Sequence, residues 1–386
     1  MRAAEEMRRR VGAGEGCTRP PLYRRLAGWA ARDPLLAALL AAYLALVMAT
    51  RGSALLFWRY LDIDAFLVIA SLLLVSEGFR RSGLLSAAAE KLVAASRGSP
   101  GELLLLLTLL VYLAAPLVTN DAAVLVAAPL LAEISAAYSL DIDVATAVAS
   151  IAANMGSVLT PIGNPQNAII WVHYSIPFQT FVYTMLPLYT LSLALLAVYI
   201  AAVARGHPSL ERRIPVEMRR VNTRLALASA AALASVVVLS ERHLYAAALA
   251  AALTLFLVEP GLVASLDYRV FAAVFLLLLD PGVAASIISE HHLIGHLQGL
   301  EVYIDALLLS QVVSNVPATI ILAPHTRDWL PLALGVNIGG VFLLTGSLAN
   351  ILAVRVTGAR TGRFQALLLP YFAAICILAV VAYRLV

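Results

Sequence analysis

The sequence predicts an all-α polytopic membrane protein built from two inverted repeats, each with a broken transmembrane helix and a re-entrant hairpin. Three observations predict it: composition, the placement of arginines, and a set of matched positions in the two halves. Of 386 residues, 61% are hydrophobic and 13% charged, where soluble domains carry about 25% charged residues. An ordinary water-soluble enzyme is excluded. Apolar stretches approaching the ~20 residues needed to cross a bilayer recur from Leu35 onward. No polar block between them is large enough to fold alone, so the membrane domain is expected to be the whole chain. The net charge of +4 comes from arginines at the ends of apolar segments, which is a topology signal and not a nucleic-acid footprint.

Residues 1–33 read as a basic cytoplasmic segment with Arg8, Arg9, Arg10, Arg24 and Arg25. No short apolar stretch with a small-residue cleavage site precedes Leu35, so no cleavable signal peptide is expected. The first repeat is placed at 34–205, a basic cytoplasmic linker at 206–222, an extra connecting helix at 223–240 and the second repeat at 243–386. Simple apolar helices are expected at about Leu35–Thr50, Ala65–Phe79, Pro177–Ala204, Thr223–Ser240, Tyr245–Val258, Val270–Ser286 and Phe364–Tyr383. Val144–Trp171 and Leu330–Arg355 are interrupted by Gly, Pro and Asn, and each reads as one broken spanning helix. Together these make nine crossings.

Two regions fit less simply. Residues 102–138 split at Thr119-Asn120-Asp121, and residues 301–325 split at Ser314-Asn315-Val316-Pro317. The arms of the first are about 15 residues, or roughly 22 Å at 1.5 Å per residue, short of the ~30 Å hydrocarbon core. Each is read as a re-entrant hairpin; two short complete crossings would preserve the same parity. With the N-terminus inside, that parity places Arg205, Arg212, Arg213, Arg219, Arg220 and Arg224 inside as well. A single crossing at 102–138 would put this most basic loop outside, against the positive-inside rule. Arg355, Arg360 and Arg363 then also lie inside, and the C-terminus outside.

Asn154, Gly156, Gly163, Asn164 and Asn167 match Asn337, Gly339, Gly346, Ser347 and Asn350, every pair 183 residues apart. Val118-Thr119-Asn120 matches Val313-Ser314-Asn315, and Leu61-Asp62 matches Leu266-Asp267. Hairpin 102–138 opens to the cytoplasm and hairpin 301–325 to the outside, so the repeats are inverted; the extra helix 223–240 supplies the odd crossing. Inverted repeats with discontinuous helices are the mark of alternating-access carriers.

The chemistry concentrates at the interruptions. Thr160 to Asn167 lies within an apolar helix, where an unsatisfied backbone group costs several kcal/mol, so the break implies a polar cavity or packed protein beside it. Asn164 suits an N-cap with Pro165 at the first helical position, which aims free N–H groups and a positive dipole end at the break. Ser347 can cap the equivalent half-helix, with Thr345, Gly346 and Asn350 around it. The hairpin tips Thr119-Asn120-Asp121 and Ser314-Asn315 offer oxygens of the kind that coordinate hard cations, and transient Na⁺ is expected near Asn120, Asn154, Asn315 and Asn337. Asp121 has Val316 as its counterpart; a mid-membrane carboxylate is a functional candidate, with a turn-capping role as the alternative. Asp280, before Pro281-Gly282, is a second such carboxylate, and a self-capped kink explains it equally. Glu77 is read as pairing with Arg80 and Arg81. His291, His292 and His296 fall in an amphipathic connecting segment, Ser289–Gly299, parallel to Leu85–Ser96, rather than in a zinc site. Cys17 and Cys376 make no disulfide or metal spacing. No nucleotide-binding Gly-Lys-Ser/Thr loop occurs, so no cofactor is expected and the energy source is an ion gradient.

Val118-Thr119-Asn120-Asp121, the stretch Asn154 through Asn167 with its Gly-Asn-Pro-Gln-Asn core, and Ser310 through Ala318 resemble the ion transporter superfamily. That group takes in divalent-anion/sodium symporters, citrate transporters, arsenite efflux permeases and sodium/proton antiporters. The resemblance covers nearly the whole chain after Leu35. It implies an elevator mechanism in which hairpins and broken helices move against a dimeric scaffold, and a homodimer in the cell membrane. In the symporters both tips carry Ser-Asn-Thr; Thr119, Asn120, Ser314 and Asn315 carry over, the third positions do not, and Asp121 looks more like the arsenite-permease hairpin. The expected function is secondary transport of a small anion, a carboxylate or an oxyanion such as arsenite, coupled to Na⁺ or H⁺ through Asp121. The alternatives are a Na⁺/H⁺ antiporter sharing Asp121 and Asp280, and a gated anion channel or receptor.

Overall fold

The computed structural model describes residues 34–95, 100–138, 140–203, 220–239, 244–264 and 268–385. The basic N-terminal segment with Cys17, most of the basic linker, and the Leu266-Asp267 pair lie outside the described residues. Everything described is helix and connection, and no strand occurs among the described residues beyond a lone bridge between Leu297 and Thr326. Leu-, Ala- and Val-rich runs that can find no water for their backbone groups must close them within each segment, and the α-helix does so.

The first half contains α1 (Pro34–Ala49), α2 (Ile63–Ser82), α3 (Leu84–Ala95), α4 (Pro100–Val118), α5 (Asn120–Tyr138), α6 (Ile142–Gly156), α7 (Pro165–His173) and α8 (Phe178–Val203). Then come α9 (Thr223–Leu239), α10 (Leu244–Val258), the short α11 (Pro260–Ala264) and α12 (Tyr268–Glu290). The chain ends with α13 (Leu300–Val313), α14 (Asn315–Leu322), α15 (Trp329–Gly339), α16 (Leu348–Thr357) and α17 (Thr361–Leu385). Asp62 starts α2 by accepting the Ala65 N–H at 2.9 Å. Both expected interruptions are present: α6 stops before α7, and α15 before α16.

Among the described residues, five helices are by themselves long and apolar enough to cross a membrane, at 101–118, 142–159, 178–203, 271–290 and 361–384. With the shorter apolar helices, they make this a multi-pass membrane protein. One expectation needs correcting. The arms of the first hairpin are 19 residues each, not about 15, because α4 takes in Pro100 and Gly101 and α5 begins on the tip residues Asn120 and Asp121. At roughly 28 Å, arm length no longer separates a re-entrant hairpin from two crossings. Ser289–Gly299 leads from the end of α12 into the second hairpin. Ser289 and Glu290 end α12, and 291–299 form no helix; the segment is held instead to the far end of the second hairpin, with Leu297 N–H donating to the His325 carbonyl at 2.9 Å and Gly299 N–H to Asp328 Oδ2 at 2.7 Å. Its first-half parallel is the helix α3. Glu77 does bind Arg80 and Arg81, at 2.6–2.7 Å.

Burial shows where the centre lies. From Asp143 to Gly156, and from Pro331 to Gly339, every residue is buried, whereas α8 and α17 turn many large apolar side chains outward. The two halves interlock around that centre. Half-helix α7 packs against α14 and α15 of the second half, and half-helix α16 against α5 and α6 of the first. At one end, the buried Asp143 accepts from the Arg360 backbone at 2.8 Å and from its guanidinium at 2.7 and 2.9 Å, while Arg363 reaches both Asp143 and Asp141. This clamp fastens the start of α6 to the turn between α16 and α17.

Candidate functional site

Each half-helix begins with a side-chain cap, as its sequence directs. Asn164 Oδ1 accepts the Asn167 N–H at 2.9 Å with Pro165 next in the chain, and Ser347 Oγ accepts the Ala349 N–H at 3.3 Å. Both helix starts face one buried cluster of amides, which takes its members from both halves.

The cluster has two equivalent arms. Asn154 donates to the Ser150 carbonyl one turn back at 3.0 Å and to Asn350 Oδ1 at 2.8 Å. Asn337 donates to the Ala333 carbonyl at 2.7 Å and to Asn167 Oδ1 at 2.7 Å. Asn167 reaches the carbonyls of Ser157 and Thr160 at 3.4 and 3.1 Å, and Asn350 those of Gly340 and Leu343, both at 2.9 Å. The caps close the figure: Ser347 Oγ donates to Asn154 Oδ1 at 2.9 Å, and Asn164 Nδ2 to Asn337 Oδ1 at 2.9 Å. Each of these contacts has its counterpart, 183 residues away, in the other arm. The broken helix of each half is thus tied to the half-helix of the other.

The hairpin tips dock on the breaks. The Asn120 N–H donates to the Gly163 carbonyl at 3.0 Å, and Ser314 Oγ to the Gly346 carbonyl at 3.3 Å. A Cβ at Gly163 would run into the Ser157 carbonyl, so the break can fold this tightly only with glycine. Thr119 and Ser314 both hold positive φ, 70° and 77°, a conformation that costs a non-glycine residue about 1 kcal/mol or more. Asn120 and Asn315 each accept the N–H of the following residue at 2.9 Å. Only Asn120 also reaches the cluster, through Asn154 Oδ1 at 3.3 Å. Thr160 and Thr345 tie the breaks to the first hairpin arms through the Pro116 and Gln311 carbonyls, at 2.6 and 3.3 Å, with Thr345 exposed.

The structure therefore gathers Asn120, Asn154, Asn164, Asn167, Asn337, Ser347 and Asn350 into one network, with Thr119, Thr160, Gly163, Ser314, Asn315, Thr345 and Gly346 at its edges. Asp121 sits at the first turn of α5, half-buried. Asp280 lies in α12 and makes no hydrogen bond to the network. Three residues escaped the sequence reading. Ser150 donates to Asn350 Oδ1 at 2.6 Å and Ser157 accepts from Asn164 at 2.8 Å; Ser76 donates to the Val118 carbonyl at the first tip at 2.9 Å. Gln166 belongs with them in importance: buried, it donates to Asn337 Oδ1 at 3.3 Å while its own Oε1 has no donor among the described residues. Its counterpart is Ala349, so a search for matched positions passes over it. Its place inside the Gly-Asn-Pro-Gln-Asn run was the available signal.

Chemically, the cluster presents amide donors, amide and hydroxyl acceptors, and two half-helix N-termini with their partial positive charge. No arginine, lysine or histidine joins it among the described residues. Such a site suits a small polar or anionic solute that exchanges hydrogen bonds with amides and main chain.

Comparison with known proteins agrees in kind. A family model described as citrate transporter matches residues 26–331. The chain is 28% identical over 305 residues to the inner membrane protein YbiR of Escherichia coli K12, covering 78% of this chain and 81% of that protein. It is 27% identical over 260 residues to the uncharacterized transporter MJ0456 of Methanocaldococcus jannaschii, covering 64% of this chain and 69% of the other. A 46 kDa membrane protein of Mycobacterium leprae aligns over 167 residues at 23% identity, covering 43% of this chain and 39% of that protein. The chain belongs to the citrate transporter family of membrane transporters.

Proposed function

We propose that the protein is a secondary carrier for a small anion, a carboxylate or an inorganic oxyanion such as arsenite, driven by Na⁺ or H⁺. The observation that carries this reading is the crossed amide cluster, where half-helix starts of both halves converge with no basic side chain among the described residues. Helix N-termini supply the positive potential that a fixed arginine would otherwise provide, and they release a solute more readily than an ion pair does. The unpaired Gln166 Oε1 is spare capacity in the same place.

In this reading the two halves are inverted repeats, and the hairpins with the broken helices move as an elevator against a dimeric scaffold. The protein lies in the cell membrane with its N-terminus in the cytoplasm. Asp121, beside the first tip, is the coupling carboxylate. The test is uptake of citrate, other carboxylates and arsenite into proteoliposomes under imposed Na⁺ and H⁺ gradients. Gradient-stimulated uptake in the wild type and its loss in Asp121→Asn are expected. Uptake unchanged in Asp121→Asn would remove that residue from the mechanism. Na⁺-dependent proton movement with no anion present would replace anion transport by cation/proton antiport, a reading that the unmatched carboxylate at the tip also supports.

A further inference from the structure

Asp280 lies within α12 at 7% exposure, and neither of its carboxylate oxygens has a hydrogen-bond partner among the described residues. Leu276, Leu278, Leu279 and Val283 around it on the same helix are buried and apolar. An ionised carboxylate left bare in such surroundings costs at least several kcal/mol, and a buried acid escapes that cost by holding its proton. A hard cation is a poorer solution, because it requires about six oxygen ligands, whereas a proton needs one lone pair. The next residue adds a reason. Pro281 has no N–H, so the Leu277 carbonyl one turn back loses its helical donor, and a protonated carboxyl on that turn has an O–H to give.

Among the described residues the titratable groups nearby are not bonded to Asp280: His173 lines the same cavity as Leu278 and Gly282, and His325 meets Ser289 on the last turn of α12. Of the helices packed on α12, α1 contributes only Tyr43, whose hydroxyl donates to the Ala54 carbonyl at 2.9 Å, and α14 contributes no titratable group. Helix α2 carries Asp64 exposed on its first turn, and Glu77 already held by Arg80 and Arg81 on its last turns. Before α2, Arg59 is exposed and Asp62 is the helix cap. Tyr268, Arg269 and Glu290 stand at the two ends of α12. A Cβ at Gly282 would strike the Tyr60 carbonyl, so this stretch of α12 is pinned to the segment before α2, while α14, also packed on α12, is an arm of the second hairpin.

We propose that Asp280 is a proton-binding site, protonated while α14 lies against α12 and discharged when α14 moves along it. On discharge the carboxyl O–H bond breaks, the proton passes to water admitted between the two helices, and the carboxylate keeps the electron pair. The movement rests on the elevator reading above; the protonation does not.

Infrared difference spectroscopy of the reconstituted full chain, without any anion, separates the two. The expected result is a protonated-carboxyl C=O band at neutral pH that persists in Asp121→Asn and is absent in Asp280→Asn. Aspartate-specific ¹³C labelling in the Asp121→Asn background shifts the same band without depending on how Asp280→Asn folds. No such band at neutral pH, or one unchanged in Asp280→Asn, would overturn the proposal. In vesicles, Asp280→Asn is expected to keep citrate or arsenite exchange at equal pH and to lose acceleration by a pH gradient. Equal acceleration in both proteins would overturn the coupling role. If neither anion moves in the wild type, the carrier reading fails and the infrared band still decides the state of Asp280.

Discussion

The two breaks use one framework and differ in what they leave unused. In both, an asparagine on the broken helix binds across to an asparagine on the other half's half-helix, and a capping side chain closes the arm. These matched residues satisfy one another almost completely. Two unmatched positions differ. Asp121 stands where the second half has Val316, and Gln166, with its bare Oε1, stands where it has Ala349. The matched set holds the halves together, and at the breaks the spare binding capacity lies on the first half's side.

That division can be broken by substitution. The largest loss of stability is expected from Asn167→Ala, which leaves one Asn337 N–H and carbonyls in the break without their partner; at 1–3 kcal/mol for each buried group left unpaired, roughly 3 kcal/mol is expected in all. Asn350→Ala should cost about the same by the same count. Chaotrope or thermal unfolding in detergent checks both, and unequal losses would show that the arms are not equivalent in energy. Gly163→Ala is expected to cost about 1–3 kcal/mol, because a Cβ there must displace the Ser157 carbonyl. Gln166→Ala should fall below about 1 kcal/mol, since it removes one long hydrogen bond together with an acceptor that was unsatisfied. Exposed Thr345→Ala should stay within about 0.5 kcal/mol.

Local rules explain what the sequence made legible. Asn164-Pro165 and Ser347 are caps because their side chains and backbone geometry serve neighbours only two or three residues away, and such ranges can be read along the chain. The constant offset of 183 located Asn154, Asn167, Asn337 and Asn350 as equivalents. It did not reveal that Asn154 pairs with Asn350 and Asn167 with Asn337, because crossing is a tertiary fact with no sequence period. Ser150 went unseen for a related reason, having Ala333 as its counterpart. The true length of α4 was hidden by its Pro-Gly start, which reads as a turn but also suits the first positions of a helix. Asp143 gave no hint of burial, since its arginine partners lie more than 200 residues away.

Proteoliposome uptake of the best-transported anion, normalised to folded protein, tests the division most directly when Asp121→Asn and Gln166→Ala are set beside Thr345→Ala. Uptake should fall about tenfold or more in the first two, equivalent to about 1.4 kcal/mol, with near-native stability, and stay at the wild-type rate in Thr345→Ala. Wild-type uptake by both Asp121→Asn and Gln166→Ala would contradict it.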